Sequence, residues 1–283
     1  MILSKVLRST SHTLSSAGID DALIEAELLL RHVLGISKAR LYTETERSVT
    51  SAEISNLQHL VQRRLLREPT AYILRRCEFY GIEFYIDGRA LIPRPETELL
   101  VGKTIEAAYK CSPLGNSTIA DIGTGSGAIA ISLALALPQA KIYATDISAP
   151  ALQVAETNCQ RHQVDGRVEL LQGNLLQPLP KPVDIIVANL PYIKNSELEM
   201  LSPEIVDFEP QIALAGGEDG LDRIRQMLTQ IPEKLNWGGT LLLEIGQGQG
   251  KAVTSLINNH FPKASIELIP DLSGIDRVVK AVF

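Results

Sequence analysis

The stretch Ile119-Ala-Asp121-Ile-Gly123-Thr-Gly125-Ser-Gly127-Ala-Ile-Ala130 decides the fold of this 283-residue chain. An apolar run ends in a glycine-rich turn and is followed by a helical pattern, which predicts a strand, a tight turn and a helix. Glycines let the backbone approach a ligand closely, and N–H groups at a helix N-terminus bind polar or anionic groups. The stretch therefore predicts a ligand site in an α/β fold, with an ordinary β–α turn as the alternative.

The turn alone does not identify its ligand, because Gly123, Gly125 and Ala128 also fit the spacing of a dinucleotide-binding loop. Asp121 favours another ligand, since a carboxylate there attracts an amino-acid ammonium and repels a pyrophosphate. Asp146 ends the next predicted strand, 19 residues after Gly127, where a carboxylate can bind ribose hydroxyls. Its alternative role is a cap for the helix that follows Ser148.

Strands and helices alternate from residue 91 onward, which predicts a parallel sheet covered on both faces. Five apolar runs predict parallel strands: Thr118–Ile122, Ala140–Thr145, Val168–Leu171, Val183–Ala188 and Thr240–Ile245. Helical patterns lie near 126–137, 148–163, 220–235 and 249–260. Two final runs, from Ser265 and from Arg277, have no helix between them and should pair antiparallel at the sheet edge. The sequence predicts a seven-stranded α/β sheet.

The segment before the sheet has a different pattern. Residues 1–74 show helical spacing of apolar residues, with a helix stop at Gly35 and a helix start at Thr50. Residues 75–90 are aromatic and β-branched, and Phe79–Gly88 predicts a β-hairpin. We therefore expect a helical domain over 1–74, a hairpin linker over 75–90 and a sheet domain over 91–283.

Composition excludes several classes of protein. The net charge is −6, and residues 91–283 carry 15 basic against 22 acidic residues. This balance disfavours electrostatic binding of nucleic-acid phosphates. Three scattered cysteines and no Cys/His cluster predict neither disulfides nor a metal site. No signal sequence is visible, and no apolar run approaches the roughly 20 residues of a membrane span. These features predict a cytoplasmic protein that does not contact a membrane.

The fourth predicted strand ends in Asn189-Leu190-Pro191-Tyr192. Ligands of open α/β sheets collect outside the carboxyl ends of strands. Pro191 pushes Leu190 towards an extended conformation, which can turn the Leu190 carbonyl outwards beside the Asn189 amide oxygen. Two such acceptors would hold a substrate –NH2 group, and Tyr192 offers a face for stacking. A simple Asn-x-Pro turn is the alternative.

Together these motifs resemble class I S-adenosylmethionine-dependent methyltransferases. The resemblance is closest to the protein-(glutamine-N5) methyltransferases of peptide chain release factors (the HemK/PrmC family), and it runs nearly end to end. Its further motifs are Glu78-Phe79-Tyr80-Gly81, Leu91-Ile-Pro93-Arg94-Pro95-Glu96-Thr97-Glu98, Phe208-Glu209-Pro210, Gly216-Gly-Glu-Asp-Gly-Leu221, Glu244-Ile-Gly246 and Asp276-Arg277-Val278.

The resemblance implies a Rossmann-like fold and methyl transfer from S-adenosyl-L-methionine to the side-chain nitrogen of the glutamine in a release factor's Gly-Gly-Gln motif. It implies that Asn189, Leu190, Pro191 and Tyr192 bind and position that amide, with Arg94 near the substrate entrance. The implied cofactor-binding residues are Asp121, Gly123, Thr124, Gly125, Ser126, Gly127, Asp146, Asn174, Leu175 and Asn189.

Three positions depart from the family pattern. Leu190 stands where the family usually has Pro, Asn174 where Asp is more usual, and Arg75 where many relatives have Gly. Leu190 keeps the carbonyl that the family uses but loses the fixed φ of proline. Asn174 can still meet an adenine amino group through its oxygen, or it can be an ordinary loop residue.

Two further groups of residues each allow two interpretations. Arg94, Glu96 and Thr97 form either part of the site or a capping and packing element. The basic cluster Arg63, Arg64, Arg67, Arg75 and Arg76 is either a solvated helix face or a contact for an acidic protein partner.

Three other functions compete with release factor methylation. An adenine-N6 methyltransferase of DNA or RNA can use the same Asn-x-Pro-Tyr signature, but it must grip phosphates and flip a base. A glutamine methyltransferase of a ribosomal protein is a close sibling. A non-enzymatic cofactor-binding module is the third, and the intact Asn189 and Tyr192 argue against it. The expected enzyme is a monomer that binds release factors and forms no stable complex with nucleic acid.

Overall fold

The computed structural model describes every residue from Met1 to Phe283, and the chain forms two compact units. The first unit comprises Met1–Arg76 and Pro203–Phe208. The second unit comprises Cys77–Ser202 and Glu209–Phe283. The second unit therefore contains both the glycine-rich turn and the Asn189–Tyr192 turn.

The first unit is helical, as the sequence predicts. Its helices are α1 (Leu3–Ser16), α2 (Ala22–Leu34), α3 (Lys38–Thr43), α4 (Ser51–Leu65), α5 (Thr70–Leu74) and α9 (Pro203–Phe208). Helix α4 begins at the expected cap, where the Thr50 side chain accepts from Glu53 N and the Glu53 carboxylate accepts from Thr50 N. Leu14, Leu29 and Leu30 are fully buried in its core.

Much of the basic cluster is paired within this unit rather than solvated. Arg64 is only 5% exposed and donates to Glu25 (2.5 Å) and to Glu204 on α9 (3.1 Å). Arg67 donates to Glu204 at 3.2 Å and to the carbonyls of Ala17 and Gly18. Neither proposed interpretation describes Arg64, because the two carboxylates hold its charge inside the fold.

Replacing Arg64 with methionine should lower the free energy of unfolding by about 2–3 kcal/mol, because Glu25 would lose its ion-pair partner and Glu204 would keep only Arg67. Arg63→Met is the matched control: Arg63 pairs only with Glu68 and is one-third exposed, so its loss should cost at most about 1 kcal/mol. Urea unfolding of both variants checks this, and equal losses would contradict the buried pairing.

The second unit has a two-stranded and a seven-stranded sheet. Its strands are β1 (Cys77–Phe79), β2 (Ile82–Phe84), β3 (Thr118–Ile122), β4 (Lys141–Asp146), β5 (Val168–Gln172), β6 (Val183–Ala188), β7 (Leu235–Glu244), β8 (Ser265–Pro270) and β9 (Asp276–Val282). Its helices are α6 (Thr97–Cys111), α7 (Ala128–Ala136), α8 (Ala149–Arg161), α10 (Asp222–Lys234) and α11 (Gly250–His260).

The large sheet has the strand order β5-β4-β3-β6-β7-β9-β8. Its first five strands pair in parallel, and β9 pairs antiparallel with both β7 and β8. The predicted α/β class, the five parallel strands and the antiparallel edge pair are confirmed. Apolar residues on both faces of β3 and β6 are fully buried, as expected for central strands covered by helices.

Two local details differ from the sequence prediction. Strand β7 begins at Leu235 rather than Thr240, because Gly238 and Gly239 pair with the Phe283 backbone at 2.9 and 3.1 Å instead of forming a turn. The hairpin is shorter than Phe79–Gly88 and turns at Tyr80-Gly81, where both φ angles are positive. No helix of the structure combines the length and the apolar character needed to cross a membrane.

Candidate active site

A cleft opens at the carboxyl ends of the parallel strands. Each central strand contributes the residues that follow it: Gly123 and Gly125 after β3, Asp146–Ser148 after β4, Gly173–Leu175 after β5 and Asn189–Pro191 after β6. Strands β4 and β6 flank β3 on opposite sides, so the chain reverses its winding direction here. Such switch points are where open α/β sheets bind ligands.

The N–H groups of the glycine-rich turn are hydrogen-bonded within the protein. Gly123 N and Thr124 N both donate to the Thr145 carbonyl at 2.9 Å, and Gly125 N donates to Asp146 Oδ2 at 2.8 Å. A pyrophosphate site needs such groups free. Their pairing favours a ligand that is held by side chains and apolar contact over a dinucleotide.

Asp121 lies beneath the turn and not among the residues that line the cleft. Its Oδ2 accepts from Thr124 Oγ1 (2.6 Å) and from Ala130 N (3.1 Å), while the fully buried Oδ1 has no partner. Burial raises the pKa of this carboxyl to about 7. The side chain therefore fixes the turn onto helix α7, and its Oδ1 stays without a hydrogen-bond partner.

Asp121 should make the protein less stable as the pH rises. Its folded pKa of about 7 lies above the value of 3.8 expected when unfolded, so its contribution is fully present below about pH 4 and is lost as the pH rises towards 7. Asp121→Asn should reduce the slope of unfolding free energy against pH by up to one proton, or about 1.4 kcal/mol per pH unit, within that window. Urea titrations at several pH values measure it; an unchanged slope would contradict the raised pKa.

Ser126 and Gly127, both predicted to bind the cofactor, are packed into the fold and do not line the cleft. The Ser126 carbonyl accepts from Asn158 Nδ2 at 2.9 Å, and the same amide group donates to Tyr85 O. A Cβ at Gly127 would lie 3.2 Å from Ala155 Cβ, so the missing side chain lets α7 and α8 approach closely. These two positions hold the turn in place.

Asp146, Asn174 and Leu175 line the cleft, where the sequence predicts them. The carboxylate of Asp146 accepts from Gly125 N and from Ser148 N, both at 2.8 Å. The helix itself is capped by Ser148, whose side chain accepts from Ala151 N at 3.2 Å, so Asp146 holds the turn before the helix and is not its cap. Leu175 has a φ of +55° and its carbonyl accepts from Thr145 Oγ1 at 2.9 Å, which fixes this wall.

The Asn189–Tyr192 turn presents two acceptors that no protein donor occupies. Asn189 Nδ2 donates to Thr97 Oγ1 at 3.1 Å, which leaves Asn189 Oδ1 and the Leu190 carbonyl without hydrogen bonds inside the protein. The Leu190 side chain is buried and packs toward Gly123. Packing thus immobilises the residue that replaces the family's proline.

Tyr192 lies on a second cleft, together with Gly246–Gln249 and the charged residues Lys194, Glu197 and Asp219. Gln249 Nε2 donates to Tyr192 O at 3.0 Å and fixes this end of the turn. Burial raises the pKa of the Tyr192 phenol to about 12, so the side chain stays neutral. One four-residue turn therefore lines two clefts.

Arg94 does not line the first cleft. It pairs at 2.5 Å with Glu209, which is 5% exposed, and so connects two segments of the family pattern. Sequence reasoning assigned no site role to Arg89 and Arg223, which do line the cleft, or to Glu244, which adjoins Asn189. Glu244 ends strand β7 at the same sheet edge. An acidic residue at the end of a buried strand was the sequence feature that could have indicated a site residue.

Two family models match parts of this chain. Residues 5–74 match the family model described as PrmC N-terminal domain, and residues 97–218 match the Methyltransferase small domain. The release factor glutamine methyltransferase of Neisseria gonorrhoeae is 42% identical over 259 residues, covering 90% of this chain and 91% of that protein. The one from Geobacter sulfurreducens is 38% identical, covering 98% and 95%.

A solved structure supports the fold alone. The methyltransferase from Pyrococcus furiosus is 17% identical, covers 81% of this chain and 98% of that one, and superposes with a TM-score of 0.53.

Proposed function

The chain belongs to the release factor glutamine methyltransferase family, and on this premise we propose that it transfers a methyl group from S-adenosyl-L-methionine to the side-chain amide nitrogen of the glutamine in a release factor's Gly-Gly-Gln motif. The observation that carries the proposal is the pair of unoccupied acceptors, Asn189 Oδ1 and Leu190 O, on a turn that lines the cleft.

The residues that line the cleft fit S-adenosyl-L-methionine in their chemistry. Asp146 supplies a carboxylate for ribose hydroxyls, Asn174 an amide for the adenine edge, and Leu175 an apolar wall. Gly123 and Gly125 keep the floor beside them free of side chains. When bound, the cofactor supplies an electrophilic sulfonium methyl group.

The turn supplies the chemistry that an amide nucleophile requires. A glutamine –NH2 is a poor nucleophile because its lone pair is delocalised into the carbonyl. Asn189 Oδ1 and Leu190 O would accept its two N–H bonds, which fixes the nitrogen and favours the positive charge that develops on it. Neither group has to remove a proton before the transfer.

The Asn189–Tyr192 turn lies between the two clefts and contributes residues to both. Asn189 and Leu190 face the cofactor cleft, whereas Tyr192 borders the second cleft, where its ring would stack on the planar amide. The second cleft therefore takes the segment that carries the glutamine. In this assignment residues 1–74 form the domain that recognises the body of the release factor. Residues 75–90 link this domain to residues 91–283, which catalyse the methyl transfer. We place the enzyme in the cytoplasm, as a monomer.

Mass spectrometry tests the function directly. The purified protein is incubated with S-adenosyl-L-methionine and each of three substrates in turn: purified release factors, ribosomal proteins, and DNA or RNA. The expected result is a gain of one methyl group on the glutamine of the Gly-Gly-Gln peptide. Methylation of adenine, or of a ribosomal protein in preference to the release factors, would replace the proposal with one of the competing functions.

A further inference from the structure

Gln249 joins three segments of the second unit through one side-chain amide. Its Oε1 accepts from Gly246 N at 2.8 Å, and its Nε2 donates to Tyr192 O at 3.0 Å. The Gly220 carbonyl oxygen lies 3.5 Å from the same Nε2. The segment after β7, the Asn189–Tyr192 turn and the loop around Gly220 therefore meet at a single half-buried residue.

The amide of Gln249 satisfies these contacts in one orientation. Gly246 N can only donate and Tyr192 O can only accept, so exchanging Oε1 and Nε2 would break both hydrogen bonds. Gln249 is also the N-cap residue of helix α11, and Val253 N donates to its carbonyl at 3.0 Å. Val253 and Ile257 anchor this helix in the buried core, so the amide projects from a fixed support.

The same side chain acts on both ends of Tyr192. It binds the Tyr192 carbonyl directly, and it holds Gly246, against which the Tyr192 ring packs. A Cβ at Gly246 would lie 3.0 Å from Tyr192 Cδ2 and 3.0 Å from Gln249 Oε1. Glycine at this position therefore lets the ring and the amide approach the same stretch of backbone, which restrains the ring and the carbonyl of Tyr192 together.

We infer that Gln249 is a positioning residue for methyl transfer, which holds Tyr192, and through it the Asn189 and Leu190 acceptors, in the geometry that the reaction requires. The inference rests on the proposed function and adds to it a residue that does not touch the reacting atoms. Tyr192 ends the four-residue turn that carries both acceptors, so a shift of its carbonyl displaces them. A misplacement of about 1 Å in a catalytic site can cost about 100-fold in rate.

The test measures single-turnover rates of methyl transfer to release factor at about pH 8, where a carboxylate of ordinary pKa is ionised. Gln249→Glu keeps an acceptor for Gly246 N but has no donor for Tyr192 O, whereas Gln249→Met has a similar length and loses both bonds. Both variants should transfer about 10- to 100-fold more slowly than the wild type. The dissociation constant of S-adenosyl-L-methionine should stay at the wild-type value, because Gln249 does not line the first cleft.

Gln139→Glu is the matched control, since Gln139 is exposed and precedes β4 at the edge of the sheet opposite the clefts. Its transfer rate should match the wild type. Gln249→Glu still closes the Gly246–Gln249 turn, so a purely local structural role predicts normal transfer by that variant. Such a rate would overturn the inference, as would a loss of cofactor affinity that matches the loss of rate. Absence of transfer by the wild type would instead refute the proposed function, and the inference would fall with it.

Discussion

Asn189→Ala is expected to lower the single-turnover rate of methyl transfer about 100- to 1,000-fold, the loss typical when one preorganised polar group is removed from a site. Asn189 Oδ1 is the acceptor that would hold one substrate N–H, and alanine leaves only the Leu190 carbonyl. The dissociation constant of S-adenosyl-L-methionine should change little, because Asp146, Asn174 and Leu175 still line the cleft. Rapid-quench transfer assays and calorimetric titration of the cofactor measure the two quantities.

Asn259→Ala is the matched control for this variant, since Asn259 is an exposed asparagine near the end of helix α11. It should transfer methyl groups at the wild-type rate. Near-normal turnover by Asn189→Ala would remove the chemical basis of the assignment, whereas a parallel loss of cofactor binding would show that Asn189 mainly shapes the cleft.

The sequence predicts those parts of the structure that depend on local physics. Helix α4 has the predicted cap at Thr50 because the capping box is contained in four residues. Strands β3 and β6 match their predicted bounds because runs of buried apolar residues end at turn-forming residues. Arg75, where the family resemblance leads us to expect Gly, has a φ of +53° at the end of α5, a left-handed conformation that favours glycine.

What the sequence does not predict depends on contacts between distant segments. Helix α9 packs with the first unit because Glu204 meets Arg64, and the two are 140 positions apart. The contact of Asn189 with Thr97 spans 92 positions. Asp121 is buried beneath its own turn because of how α7 packs. Spacing along the sequence does not show this packing, so it suggested a direct ligand contact.

The loop Gly216–Leu221 shows how such distant contacts constrain the site. Gly220 has a φ of +79°, and a Cβ there would lie 2.2 Å from the Tyr192 carbonyl oxygen and 2.7 Å from Gln249 Nε2. The same carbonyl accepts the hydrogen bond from Gln249 that fixes the end of the substrate turn. Glycine at 220 is therefore needed for the turn to keep its position.

Gly220→Ala should lower the free energy of unfolding by about 3 kcal/mol or more, because both the backbone conformation and the contact with Tyr192 O become strained. Methyl transfer by the folded fraction should fall at least about 100-fold, since a displaced Tyr192 carbonyl moves the neighbouring acceptors out of line. Urea unfolding gives the first quantity, and single-turnover assays on the folded protein give the second.

Gly248→Ala separates the two sources of strain. Gly248 has a nearly identical φ of +83°, but nothing lies within 4 Å of its missing Cβ. Its substitution should therefore cost only the left-handed backbone penalty of about 1–2 kcal/mol. If both variants lost the same stability, the φ angle alone would account for Gly220. A larger loss in Gly220→Ala, accompanied by slower transfer, would attribute the difference to the close approach of this loop to Tyr192.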